Sequence, residues 1–325
     1  MATALTTLLS LPTVPLAPHV TPIDRLTRLE AALGSGSPQL FMKRDDLLSF
    51  GLGGNKVRKM QAVAAEAIAA GADTLITCGG VQSNHCRVTA AAGAALGLAV
   101  ELVVNGTAPA APAGNARLDR LFGASIHYVS NRDQRAPKMQ EIADRLAREG
   151  RRPFIVPLGA STATGALGFA RGIKEIATGG LRPDAIVFAS SSGGTQAGLV
   201  AGCALFGLTP RIIGISADES ASTLAGVVHE LVNAVAAKLG AKPETVGATR
   251  GVEVDDGFVG EGYGVPTPAS IEATELVARR EGIVLDPVYT AKAMAGLLAR
   301  VRRGEFTSNQ AVLFWHTGGI PGYFT

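Results

Sequence analysis

The sequence of 325 residues is short of several residue types, and each shortage excludes a class of protein. It contains only three cysteines, Cys78, Cys86 and Cys203, which form neither a CxxC motif nor an even set for disulfide pairing. We therefore interpret all three as buried thiols of a protein from a reducing compartment, and we expect no metal site.

Aromatic residues make up 5% of the chain, and its mixed charges sum to +3 without any basic block. The usual signs of nucleic-acid binding are therefore missing. Long apolar runs are scarce too: the uncharged stretch 88–100 is shorter than the roughly 20 residues of a membrane span. Pro12, Pro15 and Pro18 interrupt the apolar N-terminal segment, which has no cationic start. We expect a cytoplasmic protein that binds neither nucleic acid nor membranes.

Apolar residues and glycine are abundant, at 47% of the chain and 40 residues respectively, so the chain can bury a large core. Short apolar runs alternate with alanine-rich segments of helical spacing, such as 57–70, 84–96 and 138–148. This alternation predicts an α/β fold with parallel-rich sheets flanked by helices. The predicted strands are residues 40–43, 74–77, 100–104, 126–129, 154–156, 185–189, 212–216 and 311–316.

Eight strands favour two sheets over one, and no low-complexity linker separates two halves of the chain. We therefore predict a small domain, residues 47–157, inserted into a large cofactor-binding domain made of residues 1–46 and 158–325. In such sheets, ligands bind outside the carboxyl ends of the strands, where loops lead into helices. Four loops of this kind are rich in reactive or polar residues.

The first loop is FGLGGNKVRKM, residues 50–60. Gly53 and Gly54 allow backbone angles that other residues resist, and Lys56 follows in the first turn of a predicted helix. The nearby Arg58 and Lys59 and the helix N-terminus all disfavour a protonated amine, which would make Lys56 a better nucleophile toward a carbonyl. The alternative is a solvated basic turn whose lysines face water.

The second loop is TCGGVQSNHCRVTAAAG, residues 77–93, where Gln82, Ser83, Asn84 and His85 crowd the start of an alanine-rich helix. The N–H groups of such a helix start attract a carboxylate or a phosphate. Helix capping explains one polar residue here but not four. We interpret His85, taken alone, as structural.

The third loop is FASSSGGTQAGL, residues 188–199, in which a buried strand runs through three serines, two glycines and a threonine into a helix. Successive N–H groups and hydroxyls around a helix N-terminus form a cradle for phosphate. Neither GK[ST] nor GxGxxG is present, which argues against ATP and NAD. The alternative is a plain Gly/Ser turn.

The fourth loop region consists of two stretches, LDPVYTAKAMAGL at residues 285–297 and FWHTGGIPG at residues 314–322. Tyr289 and Thr290 stand at a helix start, and Thr317 ends the last strand. Each feature alone is a cap or a turn. Together with an activated lysine and a phosphate cradle, they predict a phosphorylated aldehyde cofactor held by its phosphate and by a Schiff base, namely pyridoxal phosphate (PLP).

These stretches carry a family resemblance. Six motifs occur in the order expected of the D-cysteine desulfhydrase and 1-aminocyclopropane-1-carboxylate deaminase family. They are KRDDLLSFGLGGNKVRKM, QSNHCRVTAA, SSSGGTQAGL, GYGVP, LDPVYTAKAMAGL and HTGG. The sequence resembles this family from about residue 21 to residue 322. The resemblance implies the tryptophan synthase β-like fold (PLP fold type II), a homodimer of two-domain subunits, and a cofactor in the cleft between the domains.

The resemblance also implies roles for particular residues. Lys56 would bond the cofactor, Asn84 would bind its ring hydroxyl, and Thr290 or Thr317 would face its ring nitrogen. The phosphate would be held by Lys59, Ser191, Ser192, Gly193, Gly194 and Thr195.

On the substrate side, the resemblance implies that Ser83 and Gln82 meet the carboxylate of a small amino acid, with Asn84 beside them. Tyr289 would lie next to the reacting carbons and Tyr263 close to the site. The catalytic set is therefore Lys56, Tyr289 and Ser83.

Two positions favour one branch of the family. Sequences that resemble the cyclopropane deaminases have glutamate and leucine where this chain has Thr290 and Thr317. A hydroxyl leaves the cofactor's ring nitrogen closer to neutral than a carboxylate would, which suits β-elimination of a good leaving group. We therefore expect D-cysteine to give pyruvate, ammonia and hydrogen sulfide. The alternatives are a cyclopropane deaminase, a cysteate sulfo-lyase and a non-catalytic binding protein. The sequence departs from the family pattern at Cys86, Ala160 and Thr162, so the identity of the substrate's side chain stays open.

Overall fold

The computed structural model describes residues 2–249 and 251–325, which form two β-sheets flanked by helices. The larger sheet has the strand order β1-β2-β10-β7-β8-β9 and the smaller one the order β5-β4-β3-β6. Strands β1 and β2 pair antiparallel, and the other described pairings are parallel. The predicted α/β class with parallel-rich sheets is therefore confirmed.

The strands coincide closely with the predicted runs. They are β1 Ile23–Arg25, β2 Gln39–Arg44, β3 Thr74–Gly80, β4 Ala99–Asn105, β5 Ser125–Val129, β6 Pro153–Ile155, β7 Ala185–Ser190, β8 Arg211–Ser216, β9 Glu253–Asp255 and β10 Ala311–His316. Sequence reasoning missed β1 and β9, because both are three-residue edge strands that contain charged residues.

The helices connect the strands and cover both sheets. They are α1 Ala2–Ser10, α2 Thr27–Leu33, α3 Asn55–Ala69, α4 Asn84–Leu96, α5 Gly114–Leu121, α6 Arg135–Arg148, α7 Ala163–Ala170, α8 Gly172–Thr178, α9 Gly194–Leu205, α10 Ala221–Lys238, α11 Pro268–Glu281 and α12 Thr290–Arg302. Among the described residues, no helix is long and apolar enough to cross a membrane.

The smaller sheet uses only strands from residues 74–155, and the larger sheet uses only strands outside that range. The division into domains at residues 47 and 157 is compatible with this partition but stays a prediction. Residues of β7 are all buried, as expected for a central parallel strand covered by helices on both faces. The three cysteines are buried thiols, as the sequence predicts.

Glycines set the spacing of three helices next to the cavity described below. A Cβ at Gly168 of α7 would lie 2.5 Å from the carbonyl oxygen of Arg58 in α3. A Cβ at Gly198 of α9 would lie 2.5 Å from the carbonyl oxygen of Ala166 in α7. Helix α7 therefore packs backbone to backbone against both α3 and α9, and the starts of these two helices are held at a fixed separation.

A cluster of buried charges fastens the start of α3 to the larger sheet. The Arg58 guanidinium donates to both carboxylate oxygens of Asp45, at 2.7 Å each, and to Glu175 of α8, also at 2.7 Å. Trp315 of β10 donates its indole N–H to Asp45 at 2.8 Å, and Lys43 of β2 pairs with Glu175. Burial alone raises the pKa of Asp45, but the attraction and hydrogen bonds of Arg58 hold that pKa below its ordinary value.

Removing Arg58 is expected to destabilise the protein strongly. Arg58→Met leaves the fully buried Asp45 without its ionic partner, which should cost about 3–5 kcal/mol of the free energy of unfolding. Urea unfolding followed by far-UV circular dichroism measures this loss. The matched control is Arg279→Met, because Arg279 is 75% exposed and its pair with Glu275 lies on the surface; we expect a change below about 1 kcal/mol there. Equal losses in the two variants would contradict the proposed importance of the cluster.

Candidate active site

A cavity of about 380 Å³ lies where strands of the two sheets end. The loops that follow β3, β5, β7, β8 and β10 line it, together with the start of α3. The four loops that the sequence singles out thus come together, as expected for the carboxyl ends of parallel strands. The predicted site residues in its lining are Lys56, Ser83, Asn84, Ser191, Ser192, Gly193, Thr195, Tyr263, Tyr289 and Thr317.

Lys56 reaches the cavity because two glycines let the preceding turn pack against the end of β10. Gly53 and Gly54 have φ angles of +75° and +99°, and a Cβ at Gly54 would lie 2.9 Å from the carbonyl oxygen of Thr317. The backbone N–H of Asn55 donates to that same oxygen at 3.0 Å. The following residue, Lys56, therefore enters the cavity from the first turn of α3.

Burial lowers the pKa of the Lys56 amine from 10.5 to about 8. The sequence predicts such a shift from neighbouring cations, but its cause is burial, and the guanidinium of Arg58 is bonded to Asp45 and Glu175. The alternative of a solvated basic turn is wrong as well, because Arg58 and Lys59 are buried. An amine with this pKa is substantially neutral near pH 8 and can attack a carbonyl.

The start of α9 forms a cradle with Lys59 beside it. The Lys59 amine donates to the carbonyl oxygen of Gly159 at 3.2 Å, and its pKa is lowered well below the usual value by burial and by the neighbouring Lys56. A Cβ at Gly194 would lie 2.9 Å from the Cα atom of Ser161, a backbone contact that favours glycine there. The hydroxyl of Ser190, at the end of β7, is buried without a hydrogen-bond partner among the described residues.

These features fit a phosphate group. The N–H groups of the first turn of α9 point out of the helix start, where an anion is favoured. Buried amines whose pKa is lowered by desolvation regain their charge when an anion binds next to them. The cradle therefore suits the phosphate of a cofactor, and Lys56 suits its aldehyde.

At the start of α4, the predicted residues differ in where they point. Ser83 is the N-cap, and its hydroxyl accepts the N–H of Cys86 at 3.2 Å. Gln82 is turned toward α5, where its side chain donates to the carbonyl oxygen of Ala113 and accepts the N–H of Asn115. Gln82 does not line the cavity, so its contact with a substrate stays a prediction that this geometry does not support. His85 bonds Thr77 at 2.7 Å, in agreement with a structural role.

The two predicted threonines also differ. Thr317 lines the cavity at the end of β10. Thr290 is fully buried, and its hydroxyl donates to the carboxylate of Asp286 at 2.7 Å. It lies outside the lining of the cavity, so its contact with the cofactor ring stays a prediction without structural support.

Tyrosines and an ion pair stand together in the cavity wall. The hydroxyls of Tyr263 and Tyr289 are hydrogen-bonded to each other, and burial, together with Tyr263, raises the pKa of Tyr289 well above its usual value. The guanidinium of Arg132 lies 5.2 Å from the centre of the Tyr263 ring and pairs with Asp218 at 2.9 Å. Because Arg132 follows β5 and Asp218 follows β8, this pair joins the ends of the two sheets.

Sequence reasoning missed several members of the site. Asn55 lines the cavity and donates to the hydroxyl of Thr195 at 2.9 Å, which ties the start of α3 to the cradle. The sequence feature that could have identified Asn55 is its position between Gly54 and Lys56. Arg132 and Asp218 lie 86 residues apart, and no motif marks either of them.

Comparison with known proteins agrees with this geometry. A family model described as pyridoxal-phosphate dependent enzyme matches residues 14–318. The chain belongs to this enzyme family. The PLP dependence predicted from the loops is therefore confirmed, and small amino acids are the substrate class. No group of three His, Cys, Asp or Glu able to hold a metal ion occurs in residues 2–249 and 251–325.

Individual members of the PLP-dependent family place the chain more closely. It is 39% identical over 321 residues to a D-cysteine desulfhydrase of Yersinia pestis (strain Pestoides F), with 96% of this chain and 95% of that protein covered. A solved structure described as an ACC deaminase homologue matches with a TM-score of 0.91 and 37% identity, covering 100% of this chain and 97% of the other. A threonine deaminase isoform from Solanum lycopersicum matches with a TM-score of 0.71 at 17% identity, over 97% and 83% of the two chains, and shows the shared fold alone. The predicted fold type II is confirmed.

The lowered pKa of Lys56 predicts how attachment of PLP depends on pH. Only the neutral amine attacks the aldehyde, so the attachment rate to apoprotein should rise with pH and level off near pH 9, about one unit above the pKa of about 8. An amine with the ordinary pKa of 10.5 would give a rate that still rises at pH 10. Stopped-flow absorbance measures the rate, and N-acetyl-lysine in place of the protein corrects for the ionisation of PLP itself. Lys56→Ala should form no lysine-bound chromophore at any pH.

Proposed function

We propose that this protein is a PLP-dependent carbon–sulfur lyase that converts D-cysteine to pyruvate, ammonia and hydrogen sulfide. The observation that carries the proposal is the identity of 39% with D-cysteine desulfhydrases over 96% of the chain. The cavity supports it, because Thr317, a neutral residue, lines the end of β10 in the same cavity as Lys56. The overall reaction breaks the Cα–H and Cβ–S bonds, and one water hydrolyses the resulting enamine to pyruvate and ammonia.

The residues that hold the cofactor follow from the geometry of the cavity. We assign Lys56 to its aldehyde, and Lys59 with the start of α9 to its phosphate. Ser191, Ser192 and Thr195 line the cavity there, and Gly194, whose N–H donates to the Ser161 hydroxyl at 3.3 Å, begins α9. When bound, PLP withdraws electrons from Cα of the amino acid and thereby makes the Cα proton removable.

Lys56 is also the proposed general base. With PLP and substrate bound in the cavity that Lys56 lines, its amine would lie close to Cα of the substrate and could take the proton there. A pKa of about 8 gives both a large neutral fraction and enough basicity to take the Cα proton at that pH. Lys56 is therefore suited to act as the base both by its position and by the burial that lowers its pKa.

Ser83 and Asn84 at the start of α4 are proposed to bind the substrate carboxylate. The helix N-terminus favours an anion, and both side chains line the cavity. The tight fit of Ser83 against β3 fixes its hydroxyl, since a Cβ at Gly79 would lie 2.4 Å from it. The carboxylate would thus hold the substrate in one orientation relative to Lys56.

Tyr289 is proposed to supply a proton to the leaving sulfur. Its raised pKa keeps the phenol protonated across the physiological range, and Tyr263 orients it through their hydrogen bond. Arg132 and Asp218 hold the Tyr263 ring from the other side. Loss of the thiolate as a hydrosulfide ion is easier when a proton is available at the sulfur.

We also propose that the protein works in the cytoplasm as a homodimer, and exposed apolar surface supports the dimer. Leu47, Leu52 and Phe324 are 52%, 56% and 70% exposed, and they line one groove together with Leu118 and Pro321. Contiguous apolar patches of this kind are uncommon on monomeric proteins and mark sites of association. A second copy of the chain is the proposed partner.

The substrate assignment is tested with a panel of amino acids. We expect D-cysteine and β-chloro-D-alanine to give pyruvate at rates at least about tenfold above L-cysteine, cysteate and 1-aminocyclopropane-1-carboxylate. Pyruvate is measured with a coupled lactate dehydrogenase assay and sulfide is measured separately. Ser83→Ala should raise KM or lower kcat/KM with little change in the cofactor spectrum, and Lys56→Ala should be inactive. Ring opening of the cyclopropane amino acid without any β-elimination would move the protein to the deaminase branch, and turnover of cysteate alone would make it a sulfo-lyase.

The homodimer is tested by substitution in the apolar groove. We expect the wild-type protein to elute with twice the mass of one chain in size-exclusion chromatography with light scattering. Leu52→Glu should place a charge in the interface and shift the protein toward the monomer. Val20→Glu is the control, since Val20 is 69% exposed but does not line this groove. A monomeric wild-type protein would contradict the proposal.

A further inference from the structure

Arg87 of α4 is a fully buried cation that the reaction described above does not use. Its guanidinium donates to the side-chain oxygens of Asn84, at 3.1 Å, and Asn115, at 3.0 Å, and to the carbonyl oxygen of Gly53, at 2.8 Å. All three acceptors are neutral. Within the described part of the chain, Arg87 takes part in no ion pair, and its Nε has no hydrogen-bond partner.

Burying a charge without a counter-charge is costly. The cost is visible in Arg87, because burial lowers its pKa to about 10. Asp119 is the carboxyl group that acts on it, but burial raises the pKa of Asp119 to about 7, and one of its oxygens has no hydrogen-bond partner in the described residues. Asp119 therefore offsets the charge of Arg87 only in part.

The hydrogen bonds of Arg87 fix which way the Asn84 amide points. A guanidinium only donates, so the atom of Asn84 that faces Arg87 must be the oxygen. Asn115 donates to the same oxygen at 3.0 Å. The amide NH₂ of Asn84 is consequently turned the other way.

The neighbouring amides are fixed by the same logic. Asn115 accepts from Arg87 through its oxygen, so its NH₂ is left to donate, and it does so to the backbone oxygen of Gln82 at 2.8 Å. Gln82 accepts the backbone N–H of Asn115 and donates to the backbone oxygen of Ala113. Each amide in the group has one orientation that satisfies every bond, so the Asn84 NH₂ is held in place by a network rather than by a single contact.

Arg87 also reaches the turn that places Lys56. Gly53, whose carbonyl oxygen it binds, precedes Gly54 and Asn55 at the start of α3. One guanidinium thus connects the two elements that carry Asn84 and Lys56, both of which line the cavity.

We propose that Arg87 is a positioning residue for the cofactor: it orients the Asn84 amide so that its NH₂ donates to the ring oxygen of PLP, and it holds Asn84 and the Lys56 turn in register. The proposal rests on the assignment of this cavity to PLP. Its positive charge, which Asp119 offsets only in part, would favour the anionic form of that ring oxygen through the Asn84 amide. Gln82, in this arrangement, contributes by fixing Asn115 rather than by touching substrate.

The test measures cofactor binding and the cofactor spectrum, not only turnover. Arg87→Met keeps an unbranched side chain as far as the position of Nε but removes the charge and the donors. It should raise the Kd of the apoprotein for PLP about tenfold or more and shift the lysine-bound absorption band. Arg87→Lys should recover part of both changes. Because Arg87 acts mainly through Asn84, adding Arg87→Met to Asn84→Ala should change the Kd by clearly less than Arg87→Met does in the wild-type protein, and the remaining change reports the contact with Gly53.

Arg300→Met is the matched control. Arg300 is also buried, but it pairs with Asp255 and Glu305 and does not line the cavity. We expect lower stability of this variant in urea with an unchanged absorption band and a Kd within about twofold of the wild-type value. A variant that merely loosens the fold would behave like Arg300→Met.

Several results would overturn the proposal. Wild-type Kd and spectrum in Arg87→Met would do so, as would fully additive effects of the Asn84 and Arg87 substitutions. If Arg87→Met does not fold, Arg87→Lys and Asn115→Ala provide the test, because each removes donors that converge on the Asn84 oxygen; unchanged Kd and spectrum in both would equally refute it. A wild-type apoprotein that does not bind PLP would instead refute the assignment of the cavity itself.

Discussion

The bidentate pair between Arg58 and Asp45 is the contact on which the rest of the site depends. Arg58 lies two residues after Lys56 on α3, and Asp45 lies directly after β2. Glu175 and Trp315 bond the same two side chains, so α3, α8, β2 and β10 meet at one point. A buried pair of this kind contributes little net stability compared with apolar packing, but it tolerates only one geometry. We infer that its value is the exact placement of the first turn of α3.

Close helix packing extends this constraint to the phosphate cradle. Helix α7 stands between α3 and α9, and Gly168 and Gly198 let the backbones touch where larger residues would separate them. The distance from the Lys56 amine to the start of α9 is therefore set by backbone contacts, which are stiffer than contacts through long side chains. The two attachment points proposed for the cofactor, Lys56 and the start of α9, would be kept at a fixed separation by this packing.

The sequence predicts well whatever depends on local pattern. The buried strands, the glycine pair before Lys56 and the polar start of α9 follow from short stretches of residues, and the structure has the corresponding elements where they were expected. The sequence does not predict where a polar side chain points when its partner is distant in the chain. Gln82 turns toward Asn115, 33 residues away, and Arg132 meets Asp218 across the ends of two sheets. The orientation of Thr290 could not be predicted either, although its partner is close in the sequence. A threonine at a helix start can face the cavity or bond the carboxylate of Asp286, and the spacing of the residues does not distinguish the two.

The electrostatics of the site connect folding with cofactor binding. Lys56, Lys59 and Arg87 are cations whose pKa values are all lowered by burial, so the folded apoprotein disfavours their charged forms. Between pH 8 and the unfolded pKa of 10.5, the unfolded chain binds more protons at Lys56 than the folded chain does, and this group makes folding more favourable as the pH rises. Below that window, protonation of the buried amine opposes folding. A bound dianion opposes this effect of burial on the pKa values, because it stabilises the charged forms of the buried cations. We infer that the desolvation that lowers the pKa of Lys56 also favours binding of an anionic cofactor next to it, and the free energy of that binding would add to the stability of the fold.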